Sequence, residues 1–178
     1  IENQAPGHMD THQDMDPGEA AATIIRHVTD GVALARKHRL PRRITDFMLE
    51  HHGTMLTRYQ YNQALQKALG GGDAAEIDIE KFRYPGPRPR SRETAILMLA
   101  DGSEARARAQ NPQTDEEMRV LVRGVIDYVQ KEGQLDHTML TLRDLNTIVE
   151  SFVTTLRGTY HPRIQYPAAE SPASEPVA

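Results

Sequence analysis

A single pattern recurs along the second half of the chain: a capping residue, then apolar residues spaced as on one face of a helix. The clearest case begins at Thr114, which together with Glu117 forms the sequence signature of a capping box. The apolar positions that follow are Met118, Leu121, Val122, Val125, Ile126 and Val129. Their spacing is that of an amphipathic helix, whereas the alternation typical of strands is nearly absent from the chain. We therefore predict an all-α protein with about five or six helices.

Other stretches carry the same kind of helix punctuation. The further predicted helix starts are Asp16, Pro41, Ser91 and Thr141. The first of these helices should run to about His38, and the second should end before Gly53. A helix-like run also ends at Leu69. These helices together predict a helical bundle.

Length and composition narrow the possible functions. The 178 residues suit one domain, which we place at residues 16–167, between a polar loop at residues 1–15 and a disordered tail at residues 168–178. The net charge of -4 disfavours nucleic-acid binding, and no apolar run is long enough to span a membrane. The absence of cysteine excludes disulfides, thiolate metal sites and cysteine nucleophiles. Any metal must therefore be bound by His, Asp or Glu.

Two adjacent histidines, His51 and His52, stand at the end of the predicted second helix. His51 shares its helical face with Ile44 and Met48, so we expect it to point inward. His52 lies about 100° further round the helix, and two diverging imidazoles could serve two metal ions. Taken alone, the pair fits better with two polar residues that cap a helix.

Two more polar residues fall on predicted apolar faces. His27 shares a face with Ile24, so it should point toward the core. Asp101 follows the most apolar run of the chain, residues 94–100, and shares the face of Leu97. An unpaired buried carboxylate costs several kcal/mol, so such a residue needs a cation, a donor network or a metal. The alternatives are a hydrogen-bonded core histidine and an aspartate exposed at a fraying helix end.

A stiff loop lies between the histidine pair and Asp101. It runs from Tyr84 to Pro89 and contains three prolines, which prevent a helix. Rigid loops with a tyrosine and arginines often line ligand sites. A stiff connector is an equally good interpretation from composition alone.

In combination these stretches resemble the C-terminal part of the HD phosphohydrolase domain of seven-transmembrane HD proteins, a class that includes bacterial cyclic-di-AMP phosphodiesterases. The resemblance covers roughly residues 1–167. It rests on an ordered set of short motifs: Glu2–Gln4, His27–Gly31, His51–Thr54, Tyr84–Pro87, Ser91–Glu93, Met98–Asp101, Gly133–Asp136 and His161–Pro167. The ordered set is specific, although no single motif is.

The resemblance implies an HD-domain-like helical bundle with two divalent metal ions, iron or manganese. The metal ligands it assigns are His27, His51, His52 and Asp101. In such a domain the ions activate a water for in-line attack on a phosphodiester of a cyclic dinucleotide, with cyclic di-AMP the expected substrate. The side chains suited by type and position to bind that substrate are Thr54, Tyr84, Arg88 and Arg92.

The resemblance also bears on the whole protein. It implies a cytoplasmic domain of an inner-membrane protein, anchored through N-terminal helices, and a homodimer is compatible with it. In the family, a histidine and a His-Asp pair that complete the metal site lie upstream of the segment that corresponds to Glu2–Gln4. The chain begins with that segment and has no initiator methionine. We therefore expect an N-terminally truncated fragment that hydrolyses cyclic di-AMP poorly or not at all.

Two other functions stay open. One is a catalytically inactive HD domain that binds a nucleotide or relays a membrane signal. The other is a helical interaction module in which the histidines are structural. Metal content would distinguish the module from both forms of HD domain.

Overall fold

The computed structural model describes residues 15–71 and 77–160. Within these ranges the helices are α1 (Pro17–Lys37), α2 (Arg42–Glu50), α3 (Arg58–Gly71), α4 (Arg92–Gln110), α5 (Asp115–Lys131) and α6 (Leu142–Tyr160), with a short 3-10 helix at Ile79–Phe82. The described residues form no sheet, and a lone bridge pairs Leu56 with Arg83. The prediction of an all-α fold is confirmed.

Apart from Met15, the predicted polar loop lies outside the described residues, as does the predicted tail. No helix in the described ranges is both long and apolar enough to cross a membrane.

The predicted helix starts are reproduced with small shifts. The Thr114 hydroxyl accepts a hydrogen bond from the backbone N–H of Glu117 at 3.1 Å, which forms the predicted capping box of α5. Ser91 caps α4 in the same way through the N–H of Thr94, at 3.2 Å. Asp16 caps α1, with Pro17 as the first helical residue. These side chains satisfy backbone donors that the first turn of a helix leaves free.

The main apolar core lies between α4, α5 and α6. It is a continuous cluster of aliphatic side chains, among them Leu99, Met118, Val122 and Val149. All six apolar positions that the sequence predicted for α5 are buried. This three-helix scaffold is therefore held by burial of aliphatic surface, about 25 cal/mol for each Å² removed from water.

The predicted inward face of α1 is wrong, and the predicted inward face of α2 is only half-buried. The buried stripe of α1 runs through Ala21, Val28 and Ala35, whereas Leu34 is 57% exposed and His27 is exposed. Two apolar stripes compete on this helix, and the one built from smaller side chains packs against α2, α3 and the 3-10 helix. Ile44 of α2 is also exposed, at 41%. His27 therefore lies on an open side of the bundle rather than in its core.

Candidate metal centre

Three histidines from two helices meet at one place. His27 lies in the middle of α1, and His51 and His52 follow the last residue of α2. The Nε2 atoms of His27 and His51 are 3.2 Å apart, and one ring nitrogen from each of the three lies within 4.8 Å of the other two. The structure thus brings together the three histidines that the sequence singled out.

Hydrogen bonds determine which nitrogen of two of these rings faces the cluster. The Nδ1 atom of His27 is 2.6 Å from the carbonyl oxygen of Ile24, and that of His51 is 2.9 Å from the carbonyl oxygen of Met48. Because a carbonyl oxygen only accepts, each Nδ1 carries a proton and donates it. In neutral rings both Nε2 atoms are then unprotonated.

This arrangement fits a metal ion. Two Nε2 atoms that lie 3.2 Å apart, with both Nδ1 atoms protonated, can share a proton or a metal ion. Two metal–nitrogen bonds of about 2.1 Å each can span that separation. A hydrogen bond from the second ring nitrogen to a carbonyl is also the usual way in which proteins orient a metal-binding histidine.

His52 is enclosed by its neighbours. Its side chain is 15% exposed, and the ring of Tyr84 stacks on it with centroids 4.2 Å apart and planes 20° apart. Burial, followed by the proximity of His51 and His27, lowers the pKa of His52 to about 3. The ring is therefore neutral at physiological pH, and one of its nitrogens keeps a lone pair that a metal can bind.

Asp101 borders the cluster from α4. Its Oδ2 lies 3.6 Å from Nδ1 of His52, which is too long for a hydrogen bond, and a neutral His52 makes no ion pair. The side chain is 38% exposed, so the predicted burial is wrong. On the predicted face of Asp101, Leu97 is 39% exposed and Met98 is buried, because α4 packs Met98 and Leu99 into the core. Asp101 lies neither in the core nor at a fraying end, but within α4 at the edge of the histidine cluster.

A buried glutamate that the sequence analysis did not single out fixes the end of α2. Glu50 is 4% exposed, and its Oε2 accepts hydrogen bonds from the backbone N–H of Arg90 at 2.9 Å and from the hydroxyl of Thr94 at 2.7 Å. These bonds join the residue before the histidine pair to the start of α4, which carries Asp101. The sequence feature that could have pointed to Glu50 is its position directly before the two candidate ligands His51 and His52.

The turn after the histidines is fixed from the other side by Gln134, which is 1% exposed. Its Oε1 accepts from the N–H of Thr54 at 3.0 Å, and its Nε2 donates to the Thr54 hydroxyl at 2.9 Å. Gly53 has a φ of +50°, and a Cβ there would clash with Oε1 of Gln134. Only glycine fits this turn without displacing the glutamine.

The other candidate substrate-binding residues, Tyr84, Arg88 and Arg92, differ in their burial and contacts. Tyr84 is buried and uses one ring face for His52. Arg88 donates to the carbonyl of Gly133 at 3.2 Å, and Arg92 pairs with Asp144 at 2.6 Å. Thr54, Arg88 and Arg92 are not among the described residues that line the adjoining cavity. Their side chains instead contact Gln134, the carbonyl of Gly133 and Asp144, respectively.

A cavity of about 630 Å³ adjoins the histidines. One part of its lining consists of His51, His52, Tyr84 and Asp101, and another part contains Arg58, Arg106 and Tyr128. The last three residues were not singled out in the sequence, because they lie outside the motifs. A volume of several hundred Å³ is typical of small-molecule sites.

Comparisons with known proteins bear on the family of the chain. No protein-family model matches the chain. The chain is 39% identical over 170 residues to the cyclic-di-AMP phosphodiesterase PgpH of Bacillus subtilis, an alignment that covers 95% of the chain and 23% of that protein. The chain thus spans about a quarter of that relative's length.

Solved structures of the HD domain of Listeria monocytogenes PgpH share the fold. One superposes with a TM-score of 0.77 and 28% identity, over 89% of this chain and 71% of that domain. A second, which is a complex with cyclic di-AMP, has a TM-score of 0.77 and 29% identity over 88% and 70% of the two chains. Together these matches establish that the chain is a PgpH-like HD domain.

Proposed function

We propose that this HD domain is the metal-binding part of a phosphodiesterase that hydrolyses a cyclic dinucleotide, cyclic di-AMP. The observation that carries the proposal is the convergence of His27 and His51, whose Nε2 atoms lie 3.2 Å apart beside a cavity of about 630 Å³. A similar HD domain has been solved in complex with cyclic di-AMP.

We propose His27, His51, His52 and Asp101 as the protein ligands of two divalent ions. Three imidazoles and one carboxylate suit iron or manganese. Such ions, when bound, activate water and screen the charge on the phosphate. Three histidines and one aspartate are few ligands for two ions, so we expect slow hydrolysis by the 178-residue chain alone.

The chain's own residues orient these donors. The carbonyl groups of Ile24 and Met48 hold His27 and His51 in the tautomer whose Nε2 faces the cluster. Tyr84 covers one face of His52 and excludes water from that side. The Asp101 carboxylate adds the negative charge that offsets part of the positive charge of the ions.

Calorimetric titration of chelator-treated protein with Mn²⁺ tests the metal centre. We expect His51→Ala to weaken Mn²⁺ affinity at least about tenfold, because it removes one of the facing nitrogens. The exposed His137 lies in the turn after α5, so His137→Ala is the matched control and should leave the affinity unchanged. Equal affinities for all three proteins would rule out this centre.

Hydrolysis of cyclic di-AMP is then measured with Mn²⁺, for the chain and for a longer form of the protein that includes upstream sequence. Faster turnover by the longer form, abolished by His51→Ala, supports the phosphodiesterase. Nucleotide binding without turnover in either form would instead support an HD domain that binds its ligand without hydrolysis. Membrane attachment, a cytoplasmic location and a homodimer stay predictions about the whole protein.

A further inference from the structure

The cavity beside the histidines has a second polar feature, contributed by α3 and α5. The guanidinium carbon of Arg58 lies 4.7 Å from the centroid of the Tyr128 ring. Both residues line the same cavity as His51, His52 and Asp101. A ligand in this cavity can therefore contact the histidine cluster and the arginine–tyrosine pair at the same time.

The pair is held in place from both sides. Arg58 is the first residue of α3 and follows Thr57, whose N–H and hydroxyl both donate to the carbonyl of Phe82, at 2.8 and 3.0 Å. Tyr128 lies on α5 between the buried residues of the apolar core, close to Val125 and Val129. The backbone of each partner is therefore fixed before a ligand arrives.

The chemistry of the pair suits a flat aromatic ligand. Arg58 is exposed, and in the described part of the chain it forms no salt bridge with a carboxylate. A guanidinium that rests on an aromatic ring with one face can stack on a nucleobase with the other. Arg106, on the same lining, adds a second positive charge for an anionic ligand. Burial raises the pKa of Tyr128, so its hydroxyl is neutral at physiological pH.

Resting on the proposed function, we propose that Arg58, supported by Tyr128, forms a subsite that stacks one nucleobase of the cyclic dinucleotide while the phosphodiester lies at the histidines. Tyr84 is 7% exposed and stacks on His52, whereas Arg58 is exposed, so the base-stacking role that the sequence suggested for Tyr84 falls better to Arg58. The subsite would contribute to affinity and to the choice of base without taking part in the chemical step.

The test uses cyclic di-AMP in which one adenine is replaced by 2-aminopurine, whose fluorescence is quenched when it stacks. Binding is measured in saturating Mn²⁺. We expect Arg58→Ala to weaken binding about tenfold to a hundredfold, the range for loss of one stacked base, and to abolish the quenching. Arg58→Lys should lose nearly as much, because lysine keeps the charge but has no planar face.

Arg123→Ala is the matched control, since Arg123 lies on α5 and its guanidinium donates to Asn146, away from the described cavity lining. It should leave affinity and quenching unchanged, and all variants should bind Mn²⁺ as the wild type does. If the wild type fails to bind the probe, the proposed function fails, and the subsite with it. If the wild type binds but Arg58→Ala keeps full affinity and quenching, the subsite alone is wrong. Wild-type affinity and quenching in Arg58→Lys would also contradict the subsite, because positive charge alone would then be sufficient for binding.

Discussion

Two parts of this molecule are held together in different ways. The scaffold half, α4 to α6, buries one continuous aliphatic cluster that includes Leu99 and Val149. The histidine half, α1 to α3 with the 3-10 helix, buries mostly small residues. Polar contacts join it to the scaffold half, such as Glu50 with Thr94 and Thr54 with Gln134.

This difference shows that the stability of the fold and the geometry of the candidate metal centre depend on different contacts. Aliphatic burial supplies most of the free energy of folding, but it tolerates small displacements of the side chains. Buried hydrogen bonds contribute only about 1 kcal/mol each, yet they are directional and costly to break. The candidate metal centre lies where the two halves meet, so its geometry depends on the polar contacts more than on the core.

The largest effect should come from a cavity in the scaffold half. Leu99 has 0% exposure, and Leu99→Ala should reduce the free energy of unfolding by about 2–5 kcal/mol, because it loses buried surface and leaves a void. Mn²⁺ affinity of the folded protein should barely change. Denaturant titration and calorimetry measure the two quantities. Val120→Ala, at a position that is 62% exposed, is the control and should shift stability by less than about 0.5 kcal/mol. A large loss of Mn²⁺ affinity in Leu99→Ala would show that the halves are not separable.

A smaller effect on stability, with a larger one on metal binding, is expected at Gly53. Its φ is +50°, and a Cβ there would clash with Gln134 and lie 2.7 Å from Met98. Gly53→Ala should therefore reduce the free energy of unfolding by about 2 kcal/mol or more. Because the turn directly follows His52, Mn²⁺ affinity should fall as well.

Gly158→Ala is the matched comparison for Gly53→Ala. Gly158 lies within α6, and a Cβ there meets nothing within 4 Å. Alanine should therefore stabilise the helix by up to about 1 kcal/mol. If both alanine variants change the free energy of unfolding by the same amount, the turn at Gly53 does not require glycine.

Glu50 tests the polar contacts directly. Glu50→Ala removes the acceptor of Arg90 N–H and of the fully buried Thr94 hydroxyl, which should cost about 1–3 kcal/mol. Glu50→Gln keeps an acceptor and should restore part of the loss. Mn²⁺ affinity should follow the same order, since the end of α2 carries the histidines. The control is Glu93→Ala, which removes an exposed ion pair with Arg43 and should cost at most about 1 kcal/mol.

The contrast between the two halves also explains which helix faces could be predicted from the sequence. Capping boxes and apolar stripes can be recognised from short stretches of sequence. All six buried apolar positions of α5 were predicted, because this helix has a single apolar stripe. On α1 two stripes compete, and only the packing against other helices decides that Val28 is buried and Leu34 exposed. Local spacing cannot supply that information.

The candidate site was predictable as a set of residues but not as a geometry. Motif order pointed to the histidines and Asp101, whereas the contact between Thr54 and Gln134 joins residues 80 positions apart. Glu50 looked like an ordinary helix-end charge, and Arg58 and Tyr128 belong to no motif. Such contacts depend on the tertiary fold, which spacing along one helix does not reveal.

The smallest expected effect is a pH dependence in the scaffold half, at the start of α6. The hydroxyl of Thr141 donates to the carboxylate of Asp144 at 2.7 Å, and the Thr141 N–H donates at 2.9 Å. With a further contribution from Arg92, these bonds lower the pKa of Asp144 below its ordinary value of 3.8. Because the carboxyl binds protons less readily when folded, its stabilisation is fully present above about pH 4 and is lost as the pH falls through the lower, folded-state pKa.

Asp144→Asn should therefore differ from the wild type by a constant amount in the free energy of unfolding between about pH 5 and pH 7, and by less and less below about pH 4. Denaturant titrations at several pH values measure this difference. The larger cause is the bonding to Thr141, so Thr141→Val should flatten the acid dependence more than Arg92→Gln does. A difference between wild type and Asp144→Asn that stays constant down to about pH 2.5 would show that the carboxyl titrates as an ordinary aspartate. In that case the polar contacts of Asp144 would add nothing measurable to the stability of the scaffold half, and the contrast with the histidine half would be sharper.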